Sequence, residues 1–219
     1  VRVAVLSSLY GDFDQVMAPV AQTVDADWIL VSDRDHNCWP WKVVVEPRSQ
    51  LHPRLAAKVA KCRPDLYATA DAYVWVDAGL RIGAPDFLAW CLDTLGDLSV
   101  VKLAQVPHPQ RTSIADEAQV SSGIAKYAGL PVVEQARHYL EGGFPDGWGL
   151  WATGLIAYRN GPWLGRFGNA WLAEQVRWTY QDQLSQAPLL YDAGLRPVDL
   201  DGGLWGNPRF GVTGHRSDR

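Results

Sequence analysis

The residues of most chemical interest in this chain are acids that follow apolar runs. Tyr73-Val74-Trp75-Val76 has the aromatic and β-branched character of a buried strand, and it ends at Asp77-Ala78-Gly79. A carboxylate at that place is held rigidly at a sheet edge, where it can bind a divalent cation or accept from a sugar hydroxyl. Two other polar tips repeat the arrangement: the turn-rich stretch Ser7-Ser8-Leu9-Tyr10-Gly11-Asp12, and Asp33 after Trp28–Val31. Each alone is an ordinary turn sequence. The series has more weight than its members.

A complementary charge lies between them. Arg54, Lys58 and Lys61 are spaced i, i+4 and i+7, so on a helix they share one face beside the apolar Leu55, Val59 and Cys62. A solvated basic face is the ordinary explanation. The alternative is a stripe that neutralises a diphosphate, with Arg54 engaging it bidentately and Lys58 acting as a point charge. His108 and Arg111 follow another apolar run and belong at the same binding edge, unless they are turn residues. Asp146, Trp148 and Gly149 lie in a Gly- and aromatic-rich loop, 142–149, suited to lining a sugar pocket. No GxSxG, HExxH or P-loop pattern occurs, so serine hydrolase, zincin and P-loop chemistry lack support.

The elements that position these groups alternate in type. Strands are expected at Val3–Ser7, Trp28–Val31, Lys42–Val45, Ala72–Val76, Val100–Ala104 and Trp151–Arg159. Helices are expected at Asp14–Val24, Pro53–Cys62, Asp86–Leu95, Ala115–Ala125, Val132–Leu140, Trp163–Tyr180 and Asp182–Leu190, with a Gly-rich polar tail from Asp199. The rhythm predicts an α/β class with a mixed, mostly parallel sheet flanked by helices. No linker or repeat divides the chain, so 1–219 reads as a single domain.

Composition narrows the function. The chain has 219 residues, 47% hydrophobic, with a net charge of −4. That balance argues against nucleic acid as a partner, which a basic excess would hold. No apolar run reaches the roughly 18–20 residues of a transmembrane segment. Val1–Leu6 reads as a strand and not as a leader, and the three cysteines form no CxxC pair. A cytoplasmic location is therefore expected. The 11 Trp are core residues or platforms for sugar rings.

Four segments in series carry a resemblance: His52-Pro53-Arg54-Leu55-Ala56-Ala57-Lys58-Val59-Ala60-Lys61, Tyr73-Val74-Trp75-Val76-Asp77-Ala78-Gly79-Leu80-Arg81-Ile82, Lys102-Leu103-Ala104-Gln105-Val106-Pro107-His108-Pro109-Gln110-Arg111 and Gln181-Asp182-Gln183-Leu184-Ser185. In this order they resemble the landmarks of a glycosyltransferase-like family of plant, bacterial and phage proteins. The resemblance spans most of the chain, although each motif is short. It implies a GT-A, Rossmann-like fold in which 1–110 binds a nucleotide-sugar donor and 111–219 an acceptor. Ser7, Ser8, Tyr10, Asp12 and Asp33 would then meet the nucleoside, and Arg54 and Lys58 the pyrophosphate. Asp77 would hold the place of the metal-binding Asp-x-Asp motif, with Gly79 where the second acid is expected. A Mn²⁺ or Mg²⁺ cofactor is implied, but that incomplete motif puts it in question, and His215 is a candidate further ligand.

On this reading Asp182 is a general base for the acceptor hydroxyl, or else simply a helix cap. His108, Arg111, Asp146, Trp148, Gly149 and Gln183 would form the acceptor and sugar pocket. The implied activity moves a sugar from a UDP- or GDP-linked donor to a hydroxyl on a protein or glycan. A phage origin would make the host cytoplasm the location and a virion protein a plausible acceptor. Two rivals stay open. One is a hydrolase of a lipid or glycoside, since a plant member of the resembled family is assigned ceramidase activity. The other is a non-catalytic carbohydrate-binding protein.

Overall fold

The computed structural model describes residues 1–96 and 100–213. Its centre is a seven-stranded sheet of β1 (Val3–Leu9), β2 (Asp27–Ser32), β3 (Lys42–Val45), β4 (Ala72–Val76), β6 (Leu103–Pro107), β7 (Trp151–Arg159) and β8 (Val198–Asp199). The order is β3-β2-β1-β4-β7-β6-β8, and of these only β7 runs antiparallel to its neighbours. A small second sheet pairs β5 (Leu80–Ile82) with β9 (Phe210–Val212). This is the mixed, mostly parallel α/β sheet expected of a GT-A, Rossmann-like fold.

The chain leaves β1 toward β2 and β3, then returns to β4 on the other side of β1. The carboxyl ends of β1 and β4 therefore flank a topological switch point, where open α/β sheets bind ligands. Strand periodicity sends alternate side chains to opposite faces. Val3, Val5, Val74 and Val76 join one core with α3 (Phe87–Leu95), through Phe87, Leu88 and Cys91. Ala4, Leu6, Tyr73 and Trp75 join the other, with α1 (Pro53–Ala56), α2 (Lys58–Cys62), α6 (Pro162–Arg177) and α7 (Asp182–Asp192). A third cluster packs α4 (Ile114–Ser122) and α5 (Val132–Glu141) against α7, through Ile114, Ala118, Val132, Ala136 and Leu184.

Several sequence expectations need correction. Asp14–Val24 is not helical. Pro19 interrupts it, and its amides find acceptors outside the segment: Val20 donates to Ile82 and Thr23 to Pro85. Ser7 and Ser8 belong to β1 and not to the loop, because pairing with β2 continues to Leu9. The expected strand Val100–Ala104 lies three residues later, and Val100 itself is exposed. The expected helix Pro53–Cys62 is divided at Ala57 into α1 and α2. The tail from Asp199, read as irregular, supplies β9. Most of the Trp residues are buried or half-buried, with Trp39 and Trp205 the exposed ones.

Candidate active site

The site is built around two lysines one helical turn apart. His52 caps α1, its Nδ1 accepting from the Arg54 amide at 3.2 Å, and Pro53 fits the first turn. On α2, Val59, Ala60 and Cys62 are buried, and so is Lys61, whose side chain is 0% exposed. The basic stripe is thus not a solvated face. Lys58 Nζ and Lys61 Nζ both donate to Asp182 Oδ2, at 2.5 and 2.6 Å. Thr153 Oγ1 donates to Asp182 Oδ1 at 2.8 Å, so neither carboxylate oxygen lacks a donor. The helix-cap alternative falls to Gln181, whose side chain accepts from the Gln183 amide.

Asp77 emerges where β4 ends. Its Oδ1 accepts from Trp75 Nε1 at 2.7 Å and from Lys61 Nζ at 3.3 Å. The side chain is about half exposed, at 49%. Gly154 on β7 leaves it room, since a Cβ there would sit 3.3 Å from Asp77 Oδ2. Burial alone would raise the Asp182 pKa, but Lys58 and Lys61 outweigh it and hold that carboxyl well below the usual range. Burial opposes the charge on Lys61, yet Asp182 and Asp77 prevail and raise it. Lys58 is lowered, by burial and by repulsion from Lys61, in spite of Asp182.

Above this cluster opens a cleft of about 490 Å³ at the switch point. It brings together Ser8, Tyr10, Arg54, Lys58, Asp77 and Gly79, with Asp182, Gln183 and His108. Ser8 Oγ donates to the Ala57 carbonyl at 2.7 Å and ties β1 to the lysine helix. The Arg54 guanidinium lies 4.3 Å from the centre of the Phe13 ring. Lys126 reaches the cleft from the other wall, 4.8 Å over Tyr127, its pKa lowered by burial and by Lys58 and Arg54. Among the described residues, neither Arg54 nor Lys126 has a carboxylate partner within salt-bridge distance.

His108 lines the cleft with both ring nitrogens engaged. Nδ1 accepts from the Arg111 amide at 3.0 Å, and Nε2 lies 3.4 Å from the Arg111 guanidinium and 3.5 Å from Glu117 Oε2. Burial lowers its pKa, with Glu117 acting the other way. Arg111 does not line the cleft; its Nε donates to buried Glu117 at 2.6 Å, and Gln181 donates to the same carboxylate at 2.9 Å.

Other candidates lie apart. Ser7 is fully buried within β1. Asp12 pairs with Arg34 at the surface, and Asp33 braces the loop by accepting from the Gly11 amide at 3.1 Å. Asp146 accepts from Ser113 Oγ and the Ile114 amide, which fixes the start of α4. Trp148 packs against Phe144, Trp151 and Tyr191, and Arg196 lies 4.9 Å over its ring. Gly149, at φ +148°, lies under the Trp151 ring. These residues support the scaffold and do not line the cleft. His215 falls outside the described residues.

Sequence reasoning missed Lys126, Thr153 and Gly154, and it left Lys61 as one member of a basic stripe. The donor set at Asp77 fits a resident divalent cation poorly. No group of three His, Cys, Asp or Glu side chains is assembled among the described residues, and an ammonium group already lies against Asp77 Oδ1. No helix among them is long and apolar enough to cross a membrane.

The chain matches no known family profile. No curated protein matches it either. Among solved structures it is similar to the bifunctional glycosyltransferase WbbM in its apo form. The TM-score is 0.52 at 16% identity, over 87% of this chain and 38% of that one. The chain therefore corresponds to little more than a third of WbbM's length. The likeness is one of fold, and the fold is glycosyltransferase-like.

Proposed function

We propose that the protein transfers a sugar from a nucleoside-diphosphate donor to an acceptor hydroxyl. The observation that carries this reading is the cleft at the β1–β4 switch point, where Arg54 and Lys126, without carboxylate partners among the described residues, stand beside Lys58. Such a set of cations suits a diphosphate, and the fold is glycosyltransferase-like. The donor is UDP- or GDP-linked and the acceptor is a protein or a glycan. Residues 1–110 supply most of the donor side, and 111–219 the acceptor side together with Lys126.

In the reaction, the bond from the anomeric carbon to the diphosphate oxygen breaks and its electron pair leaves with the diphosphate. The acceptor oxygen forms the new bond, and its proton passes to a base. Arg54, Lys58 and Lys126 stabilise the charge that develops on the leaving group. Asp77 suits the base, because it lines the cleft, half exposed, while its Oδ1 is anchored by Trp75 and Lys61. Asp182 suits that role poorly: its oxygens already accept three charged or hydroxyl donors, and its pKa is depressed. Its part is to position Lys58.

Calorimetric titration with UDP and GDP tests the reading. Binding of one of them, weakened roughly 10-fold or more in Arg54→Ala and in Lys58→Ala, is expected from losing a charge-assisted contact. Circular dichroism checks that both variants fold. Failure to bind any nucleoside diphosphate refutes the proposal.

A further inference from the structure

The cation that a metal-dependent site would recruit from solution is already present in this chain. Lys61 Nζ lies between Asp77 Oδ1 and Asp182 Oδ2, 3.3 and 2.6 Å away, and its side chain is wholly inaccessible. It is an internal charge that occupies the space between the two carboxylates. Lys58, partly exposed at 17%, turns the same carboxylate cluster toward the cleft as a positive surface. Where a second acid would complete an Asp-x-Asp pair there is Gly79, and a Cβ there would meet the Thr213 carbonyl at 3.2 Å.

The charge balance points the same way. Among the described residues, Arg54, Lys58 and Lys126 line the cleft with Asp14, Asp77, Glu117 and Asp182, and Lys61 and Arg111 lie beneath it against Asp182 and Glu117, so the cations exceed the acids by one. A dication entering the cleft would be repelled by two ammonium groups sharing one carboxylate, whereas a dianionic diphosphate would offset the excess.

We propose that Lys61, with Lys58, takes the place of the divalent cation, so that the cleft binds the donor diphosphate without metal. This rests on the nucleotide-sugar reading of the cleft, and the test separates the two. Wild-type protein is stripped with EDTA, then titrated with UDP, GDP and inorganic pyrophosphate, in EDTA and in excess Mn²⁺ or Mg²⁺. The expected result is a nucleotide Kd that agrees within about 2-fold between the two conditions. Binding that appears only with metal, or tightens 10-fold or more on adding it, overturns this inference and leaves the transferase reading intact. Binding under neither condition overturns both.

Two variants provide an independent check that needs no activity. Asp77→Asn and His215→Ala should each bind the nucleotide in EDTA as the wild type does, within about 3-fold. With Mn²⁺ in place of EDTA, binding that weakens about 10-fold or more in either variant and returns as Mn²⁺ is raised would mark that side chain as a metal ligand and overturn the inference. Lys61→Met is informative only if it folds. If it does, its nucleotide affinity should fall about 10-fold or more, and added metal should not restore it.

Discussion

Asp182→Asn removes the charge that holds two ammonium groups together while leaving the shape of the side chain nearly unchanged. The amide oxygen can still accept from Thr153, but an NH₂ group now faces Lys58 and Lys61 in place of Oδ2. Lys61 has no access to water, and its remaining carboxylate is Asp77 at 3.3 Å. Removing one partner of a buried charge pair costs about 3–5 kcal/mol, most of it from the charge left behind. For a chain of this size each kcal/mol is worth roughly 2–4 °C, so Tm should fall by about 6–20 °C. Urea and thermal unfolding followed by Trp fluorescence measure it. The pH dependence follows from the direction of the shift. Folding depresses the Asp182 pKa below its unfolded value of about 3.9, so its contribution is complete above that pH and is lost as pH falls toward the folded value. The gap between wild type and variant should therefore be full at neutral pH and narrow in acid. A gap below about 1 kcal/mol at neutral pH, or one that widens in acid, refutes the reasoning.

Asp77→Asn keeps an acceptor for Trp75 Nε1 but removes the basic carboxylate from the cleft lining. Its kcat should drop about 10²–10⁴-fold while donor affinity stays close to that of the wild type; an unchanged kcat would remove Asp77 from the mechanism. Gly154→Ala places a methyl group 3.3 Å from Asp77 Oδ2 and 3.7 Å from its Cγ. Displacing that carboxylate should lower kcat with a stability loss near the lower end of about 1–3 kcal/mol, so a large fall in Tm with normal turnover would contradict it. Gly168→Ala tests the packing of α6 on the lysine helix, because its Cβ would lie 2.0 Å from the Cys62 carbonyl oxygen. The helices must separate, at a cost near the upper end of about 1–3 kcal/mol. A variant as stable as the wild type would mean that this contact is looser than the geometry states.

What the sequence made legible was decided locally. Ala72–Val76, Lys42–Val45 and Trp151–Arg159 are dense in aromatic and β-branched residues, and each strand lies where its composition places it. Asp77 was legible because a charged residue directly after a fully buried strand has nowhere to go but its end. The helix expected at Asp14–Val24 misled for the converse reason. Val16, Met17, Val20 and Val24 have helical spacing, but Pro19 and the carbonyls of Ile82 and Pro85 favour an extended path. Those acceptors lie some sixty residues away and leave no trace in the local pattern.

The fate of Lys61 was hidden in the same way, with larger consequences. Lys58 and Lys61 have the spacing of any solvated basic face, and nothing in α2 states that this face turns inward. What turns it is Asp182, 124 and 121 residues further on, presented by a helix whose start is fixed by Gln181 reaching Glu117 on α4. Thr153 and Gly154 meet the cluster only because β7 enters antiparallel between β4 and β6. No motif encodes that insertion. The short segments quoted for the family resemblance bring Lys58, Lys61, Asp77 and Asp182 to one place, yet the role each can play depends on the burial of Lys61, which no short segment states. An ammonium group enclosed between two carboxylates fixes which of them remains open to a substrate, and that is Asp77.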